Sequence, residues 1–251
     1  QAIHMKKIVI IGATSSIAEH CARVWSREVG VHFILVARNI QRLESIAADL
    51  KVRNPKVKVD CCSVDFTDAT AIQNLADDIT KEGSVNVLLV AHGTLPDQNE
   101  AIKKIWMIRE SIEINAISPV LFAEAFAGHM ISANTGSIAL IGSVAGDRGR
   151  KSNYVYGSAK GLVELYTQGL RHRFTGTDVD AIIIKPGPTN TPMTAHLNVE
   201  GQSLANVESV AEVVVRGIEN KQSSIYAPRK WTLIMFIIRN LPNWLFNKLN
   251  I

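Results

Sequence analysis

The sequence predicts an α/β fold, a single domain built on a doubly wound parallel sheet flanked by helices. Three observations carry this. Short Val- and Ile-rich runs alternate with helical patterns along the chain, as βαβ units with right-handed crossovers require. The first run ends at a glycine that opens directly into a helical pattern. No repeat, linker or low-complexity stretch interrupts the alternation. One domain is therefore expected over 5–228, with 229–251 an apolar and basic helical extension of it. Residues 1–4, ahead of Met5, read as a remnant of cloning.

Residues 7–11 form the first strand by their Ile and Val content. The segment Gly12-Ala13-Thr14-Ser15-Ser16-Ile17-Ala18 then enters a helix with Ile17, Cys21, Val24 and Trp25 on one face. Strand, glycine turn and helix N-terminus together offer backbone N–H groups to a pyrophosphate. One glycine stands where the dinucleotide fingerprint has three. Ser16 and Ala18 hold the other two positions and are small enough for close approach.

Residues 31–37 are the second strand, followed by Arg38 and Asn39. An acidic residue at this strand end selects NAD through the ribose 2′-hydroxyl, whereas an arginine pairs with a 2′-phosphate. Arg38 points to NADP over NAD; a solvated charge at a helix entry is the bland alternative.

Residues 40–51 are helical, with Leu43, Ile46, Ala47 and Leu50 recurring on one face. A third strand spans 57–61, with Asp65 and Phe66 just past it, and 69–80 is helical. A fourth strand at 85–91 runs into His92-Gly93. The longest helical region, 101–130, contains Asn115 beside Ser118-Pro119. A proline inside a helix removes a backbone hydrogen bond and kinks it, which frees a carbonyl near Asn115 to hold water. A plain structural irregularity accounts for the pattern equally well.

Residues 137–141 form a strand ending just before Ser143, and 179–184 form the sixth. The loop Lys185-Pro186-Gly187-Pro188-Thr189-Asn190-Thr191-Pro192 follows at the carboxyl edge of the sheet, where ligands bind in such folds. Residues 193–207 are irregular and expected to act as a mobile substrate lid. A helix at 210–220 and a short strand at 225–227 close the domain.

The net charge of +4 is mild and no long Lys/Arg run precedes the C-terminal segment, so nucleic acid is not an expected partner. Cys21, Cys61 and Cys62 are odd in number and fit no zinc spacing. Inert thiols in a reducing, cytoplasmic compartment are expected, and no metal.

The chemistry centres on Tyr156 and Lys160. Four apart, they share a helix face. A phenol ionises near pH 10, and a neighbouring ammonium favours the phenolate, so such a pair can exchange protons near neutral pH. Ser143, thirteen residues upstream, can reach the same carbonyl oxygen from its strand end. Tyr154 is a rival phenol, but Lys160 lies on another face from it.

With these parts in place, the chain resembles the short-chain dehydrogenase/reductases over essentially its whole length. The match rests on Gly12, Asp65, Ala91-His92-Gly93, Asn115, Ser143, Tyr156-x-x-x-Lys160 and Pro186-Gly187, in that order and spacing. The resemblance implies a Rossmann-type fold. It also implies an NADP-dependent reductase in which NADPH gives a hydride to a carbonyl carbon and Tyr156 protonates the oxygen. Ser143 would hydrogen-bond that oxygen. Lys160 would lower the Tyr156 pKa and hold the nicotinamide ribose, and Asn115 would hold a relay water. The implied cofactor set is Gly12, Thr14, Ser15, Ser16, Ile17, Arg38, Asp65, Phe66, Ala91, His92, Gly93, Tyr156, Lys160, Pro186, Gly187, Thr189 and Thr191. A homodimer or homotetramer is usual for the family.

Two departures stand out. The turn at Gly12 lacks the usual further glycines, and Ala-His-Gly replaces the more common Asn-Ala-Gly, leaving His92 near the cofactor ribose or in a purely structural role. The run from Ser143 to Lys160 is similar to the branch containing decaprenylphosphoryl-ribose epimerase reductase subunits. That branch implies a keto-sugar on a lipid carrier as substrate and an oxidase partner acting in sequence. A reductase of long-chain or cyclic ketones and alcohols is one alternative, and a nucleotide-sensing protein without chemistry is another.

Residues 231–238 are almost wholly apolar, flanked by Arg229, Lys230 and Arg239 and followed by Trp244, Leu245 and Phe246. The run is too short to span a bilayer, which takes about 20 residues. Aromatic residues with basic flanks suit a helix lying at the inner face of the membrane, and packing between subunits suits the run equally.

Overall fold

The computed structural model describes residues 5–197 and 204–249; residues 1–4 lie outside them. Its strands are β1 (Lys6–Ile11), β2 (Val31–Ala37), β3 (Lys58–Ser63), β4 (Val87–Val90), β5 (Gly136–Ile141), β6 (Val179–Pro186) and β7 (Ser224–Ala227). All pair in parallel in one sheet of order β3-β2-β1-β4-β5-β6-β7. The main helices are α1 (Ser16–Trp25), α2 (Ile40–Arg53) and α3 (Ala69–Lys81). The short α4 (Gln98–Ala101) and α5 (Ile105–Ile112) precede α6 (Ser118–Ala133) and α7 (Tyr154–Arg173). Then come α8 (Val207–Glu219), α9 (Lys230–Asn240) and α10 (Asn243–Phe246).

The central strands are buried on both faces, which is why they read as continuous apolar runs. Along β1 the period of two sends Ile8 and Ile10 to one core, shared with Phe33, Leu35 and the buried faces of α1, α2 and α8. Val9 and Ile11 go to the other, with Leu88, Val90, Phe122 and Phe126. The winding reverses between β1 and β4, adjacent strands whose following loops leave in opposite directions. A crevice opens there, at their carboxyl ends.

The expected 101–130 helix is divided. A turn at 102–104 separates α4 from α5, and residues Glu113–Ile117 form one turn of π-helix before α6. Pro119 explains the irregularity: it has no N–H to return to the carbonyl of Asn115 four residues back. The ladder widens instead, and the Ser118 N–H bonds the Glu113 carbonyl five residues back. The stretch Ile105–Ala133 is long and apolar enough to cross a membrane, but Phe122, Phe126 and Met130 are fully buried against the sheet.

Of the segment 193–207 expected as a lid, residues 198–203 lie outside the described residues. On its flanks, Pro192–Leu197 forms a 3-10 turn and Thr189 pairs with Ala205 in a parallel bridge.

Candidate active site

Gly12 makes the turn at the end of β1. Its φ is +76°, and a Cβ placed there would lie 2.6 Å from the backbone nitrogen and Cβ of His92. Only glycine suits both demands. The N–H groups of Gly12 and Ala13 bond the Val36 carbonyl at 2.8 and 3.1 Å, tying the turn to β2. Ser15 is the N-cap of α1, its hydroxyl accepting from the Ala18 N–H at 3.3 Å. That leaves the first N–H groups of α1, at Ser16 and Ile17, directed out of the helix N-terminus. An anion is stabilised at such a place. Thr14 lies in the same turn.

Arg38, Asp65 and Phe66 lie together. With Ser63 and Thr67 they line a cavity of about 610 Å3 at the carboxyl ends of β2 and β3. Asp65 accepts from the Thr67 N–H and hydroxyl at 2.8 and 2.7 Å. These bonds, with Arg38 nearby, hold its carboxyl below the usual range. Phe66 packs edge-on to His92, ring centres 4.6 Å apart. The His92 Nε2 meets the Ser118 hydroxyl at 2.8 Å, while its Nδ1 is buried with no partner among the described residues. Burial, then the charges of Lys160 and Arg38, push the ring down to about 3, so it is neutral at pH 7.

A dinucleotide fits these residues: an orphaned nitrogen, a helix N-terminus and a polar cavity that holds Arg38 lie together. Ala91 continues the β1–β4 pairing through its N–H to the Ile11 carbonyl at 2.8 Å. A Cβ on Gly93 would lie 2.7 Å from the Asn115 Oδ1.

Ser143 sits two residues past β5 and caps a 3-10 turn, Val144–Gly146, accepting from the Ala145 N–H at 3.1 Å. That turn presses on α7 through two glycines. A Cβ on Gly157 would fall 2.7 Å from the Ala145 carbonyl oxygen, and one on Gly146 2.8 Å from the Lys160 backbone. Backbone meets backbone on either side of the Tyr156–Lys160 turn, and this brings Ser143 to Tyr156. Tyr154, the rival phenol, is exposed at the start of α7.

The electrostatics differ from the sequence expectation. Lys160 was expected to lower the Tyr156 pKa, yet burial pushes the phenol up to about 12, with the Ser143 hydroxyl beside it acting in the opposite direction. Lys160 is itself brought down to about 8 by burial. Its Nζ lies 5.7 Å from the Tyr156 ring centre and donates to the Ile141 carbonyl at 2.9 Å. Desolvation is the largest cause for both groups, Lys160 being buried and Tyr156 half-buried.

Asn115 is fully buried in the π turn. Its Oδ1 accepts from the Thr94 N–H at 2.9 Å and its Nδ2 donates to the Ser111 hydroxyl at 3.1 Å. The side chain is thus spent on structure, and only its backbone carbonyl remains for a relay. In the loop after β6, the Thr189 hydroxyl donates to the Gly187 carbonyl at 2.9 Å, and the Thr191 N–H donates to the Thr194 hydroxyl at 3.1 Å. The buried Thr189 is therefore committed within the loop.

Sequence reasoning missed three features around the site. Lys185, just before Pro186, is 4% exposed and reaches Asp147, 2% exposed, at 2.7 Å. Glu164 stands 2.9 Å from the same ammonium without hydrogen-bond alignment, and the Tyr226 hydroxyl donates to Asp147 at 2.7 Å. Burial lowers the Lys185 pKa, but the two carboxylates outweigh it and the net direction is upward. This cluster joins β6, the Ser143 loop, α7 and β7. Arg148 donates to the Ile238 and Leu241 carbonyls and lies 3.9 Å over the Phe246 ring. Trp231 fills the space where Gly187 lacks a side chain. A charged residue in an apolar strand, as Lys185 is in Ile183-Ile184-Lys185, was the one legible signal.

The chain matches the short chain dehydrogenase family over residues 6–201. It is 30% identical over 245 residues to an uncharacterized oxidoreductase of Mycobacterium tuberculosis, covering 96% of each chain. An uncharacterized oxidoreductase of Staphylococcus epidermidis is 28% identical over 211 residues, 84% of this chain and 89% of that one. In fold, it superposes on a short-chain dehydrogenase from Burkholderia cenocepacia solved in complex with NADP, with TM-score 0.82, 17% identity and full coverage of both. A short-chain dehydrogenase from Sphingobium yanoikuyae in complex with NADPH gives 0.77 at 19% identity, covering 95% and 97%. The sheet order, the crevice and the Ser143, Tyr156 and Lys160 cluster have one common explanation: the chain is an oxidoreductase of the short-chain dehydrogenase family.

Proposed function

We propose that this chain is an NADPH-dependent carbonyl reductase with Tyr156 as the proton donor. The observation that carries this is the seating of Ser143 against the Tyr156–Lys160 turn of α7 by the Gly146 and Gly157 contacts. The nicotinamide, when bound, supplies the hydride. Ser143 offers its hydroxyl to the carbonyl oxygen and stabilises the charge that develops there. Tyr156, held protonated by burial, gives its proton to the same oxygen. Lys160, with a pKa of about 8, sits near the working pH and can restore that proton. The Asn115 carbonyl, left without its N–H partner by Pro119, holds the relay water.

Arg38 beside the cavity of Asp65 and Phe66 supports NADP over NAD. The Ser143–Lys160 run and the apolar α9 support a keto-sugar on a lipid carrier as the substrate, with an oxidase acting in sequence. Exposed Ile105, Trp106 and Leu165 on α5 and α7 support a homo-oligomer. The free thiols fit a reducing, cytoplasmic compartment.

The test is a fluorescence titration with NADPH and NADH on wild type, Arg38→Ala and Tyr156→Phe, paired with turnover of keto-sugars free and lipid-linked. Preference for NADPH is expected to collapse in Arg38→Ala. Tyr156→Phe should bind NADPH normally and lose turnover by about 10²–10⁴-fold. Equal binding of both nucleotides by wild type would overturn the NADP assignment, and retained turnover in Tyr156→Phe would overturn the proton donor.

A further inference from the structure

The last part of the chain carries charge of one sign. No Asp or Glu follows Glu219, while Lys221, Arg229, Lys230, Arg239 and Lys248 all do. Lys221 pairs with Asp180 at 3.0 Å. Among the described residues the other four cations have no carboxylate partner.

The same segment exposes a stripe of large apolar side chains. On α9, Met235 is buried and Trp231, Ile234 and Ile238 are half-buried on the inner face. Leu233 and Phe236, each 66% exposed, and the neighbouring Ile237 point away from the domain. Their spacing of three and four is that of one helix face. On α10, Trp244 adds a further indole, 67% exposed.

We propose that this stripe docks onto the headgroup region of an anionic phospholipid membrane. Charge complementarity selects that occupant. Four cations without a carboxylate partner among the described residues, in a segment with no Asp or Glu, suit a negative surface, where each lysine or arginine adds about fivefold to binding. A second copy of the chain is the poorer fit, because a two-fold contact through α9 would set the same cations against themselves. The 11 residues of α9 rise only about 16 Å, half of a hydrocarbon core of about 30 Å. The helix therefore lies along the interface. Its placement is already fixed by Arg148 at its C-terminal carbonyls and by Trp231 on Gly187, so docking orders little new backbone.

The experiment is co-sedimentation of the full chain with sucrose-loaded vesicles, read without any activity and so independent of the reductase reading. Vesicles of phosphatidylcholine with about one-third phosphatidylglycerol are compared with phosphatidylcholine alone at about 0.1 M salt. Partition onto the anionic vesicles is expected, falling as salt rises. It should drop at least about tenfold in Leu233→Ser/Phe236→Ser and also in Lys230→Glu/Arg239→Glu. Circular dichroism and thermal unfolding check that the first double variant keeps its fold. Equal partition on the two vesicle types, or an unchanged Leu233→Ser/Phe236→Ser variant, would overturn the proposal. So would a dimer that this variant dissolves in the absence of any vesicle binding.

Discussion

Replacing Lys160 with methionine separates two effects that the fold imposes on one ammonium. In the unfolded chain the lysine loses its proton near pH 10.5, and in the folded protein near pH 8. The folded value is the lower one, so the folded state resists the charge, and Lys160 costs stability wherever the unfolded chain is protonated. At pH 7 that cost is about 3 kcal/mol, and by pH 10 it has fallen below about 1 kcal/mol. Methionine removes the cost but also removes the hydrogen bond from Nζ to the Ile141 carbonyl, a charged bond of about 1.5–3 kcal/mol. Near pH 7 the two nearly cancel, and the variant should look almost neutral. The change of this balance with pH is set by the folded and unfolded pKa values alone, so the slope reports the shift itself. Wild type should gain on Lys160→Met by about 2.5 kcal/mol between pH 7 and pH 10. Tyr156 titrates late in both chains and cancels to first order. Urea denaturation at three pH values measures this, with a relative midpoint change of about 1 M expected. A stability difference flat across that range would refute the reasoning and mean that Lys160 is solvated or paired in the fold.

Lys185→Met leaves the buried Asp147 without its cation and should cost about 3–5 kcal/mol, read from the urea midpoint; a loss below 1 kcal/mol would mean that water reaches Asp147. Gly12→Ala forces a Cβ into the His92 backbone at positive φ and should cost about 2–4 kcal/mol, with NADPH affinity falling alongside in a binding titration. His92 is neutral above about pH 3, so reductive kcat/KM should show no limb near pH 6.5. Because the unfolded chain takes up that proton first, wild-type stability should decline as pH falls from 6.5 towards 3, and His92→Phe should flatten that decline.

The central strands β1, β2, β4, β5 and β6 were legible because each is a short apolar run buried on both faces, whereas β3, with Lys58, Asp60 and Ser63 exposed, carries a weaker signal. Tyr156 and Lys160 were legible because four residues is one helical turn. The π turn at Asn115 was half legible: Pro119 announced a kink, but whether a helix tightens, widens or breaks at a proline depends on what packs around it. The direction of the Tyr156 pKa could not be read, since it hinges on how much water the folded chain excludes. The Lys185 cluster, Arg148 and Trp231 were invisible for a related reason. Their partners lie 38, 90 and more residues away, or, for Trp231, in the missing side chain of Gly187.

The fastening of the site to α9 bears on how the protein is completed. Arg148 lies just past Ser143 and takes its carbonyl partners from Ile238 and Leu241, while Gly187 is roofed by Trp231. On a ribosome, Tyr156 is synthesised well before the residues of α9 that hold the loops around it. A nascent chain ending after β6 lacks both of these contacts. The contacts that hold these loops are therefore complete only once α9 is released and seats.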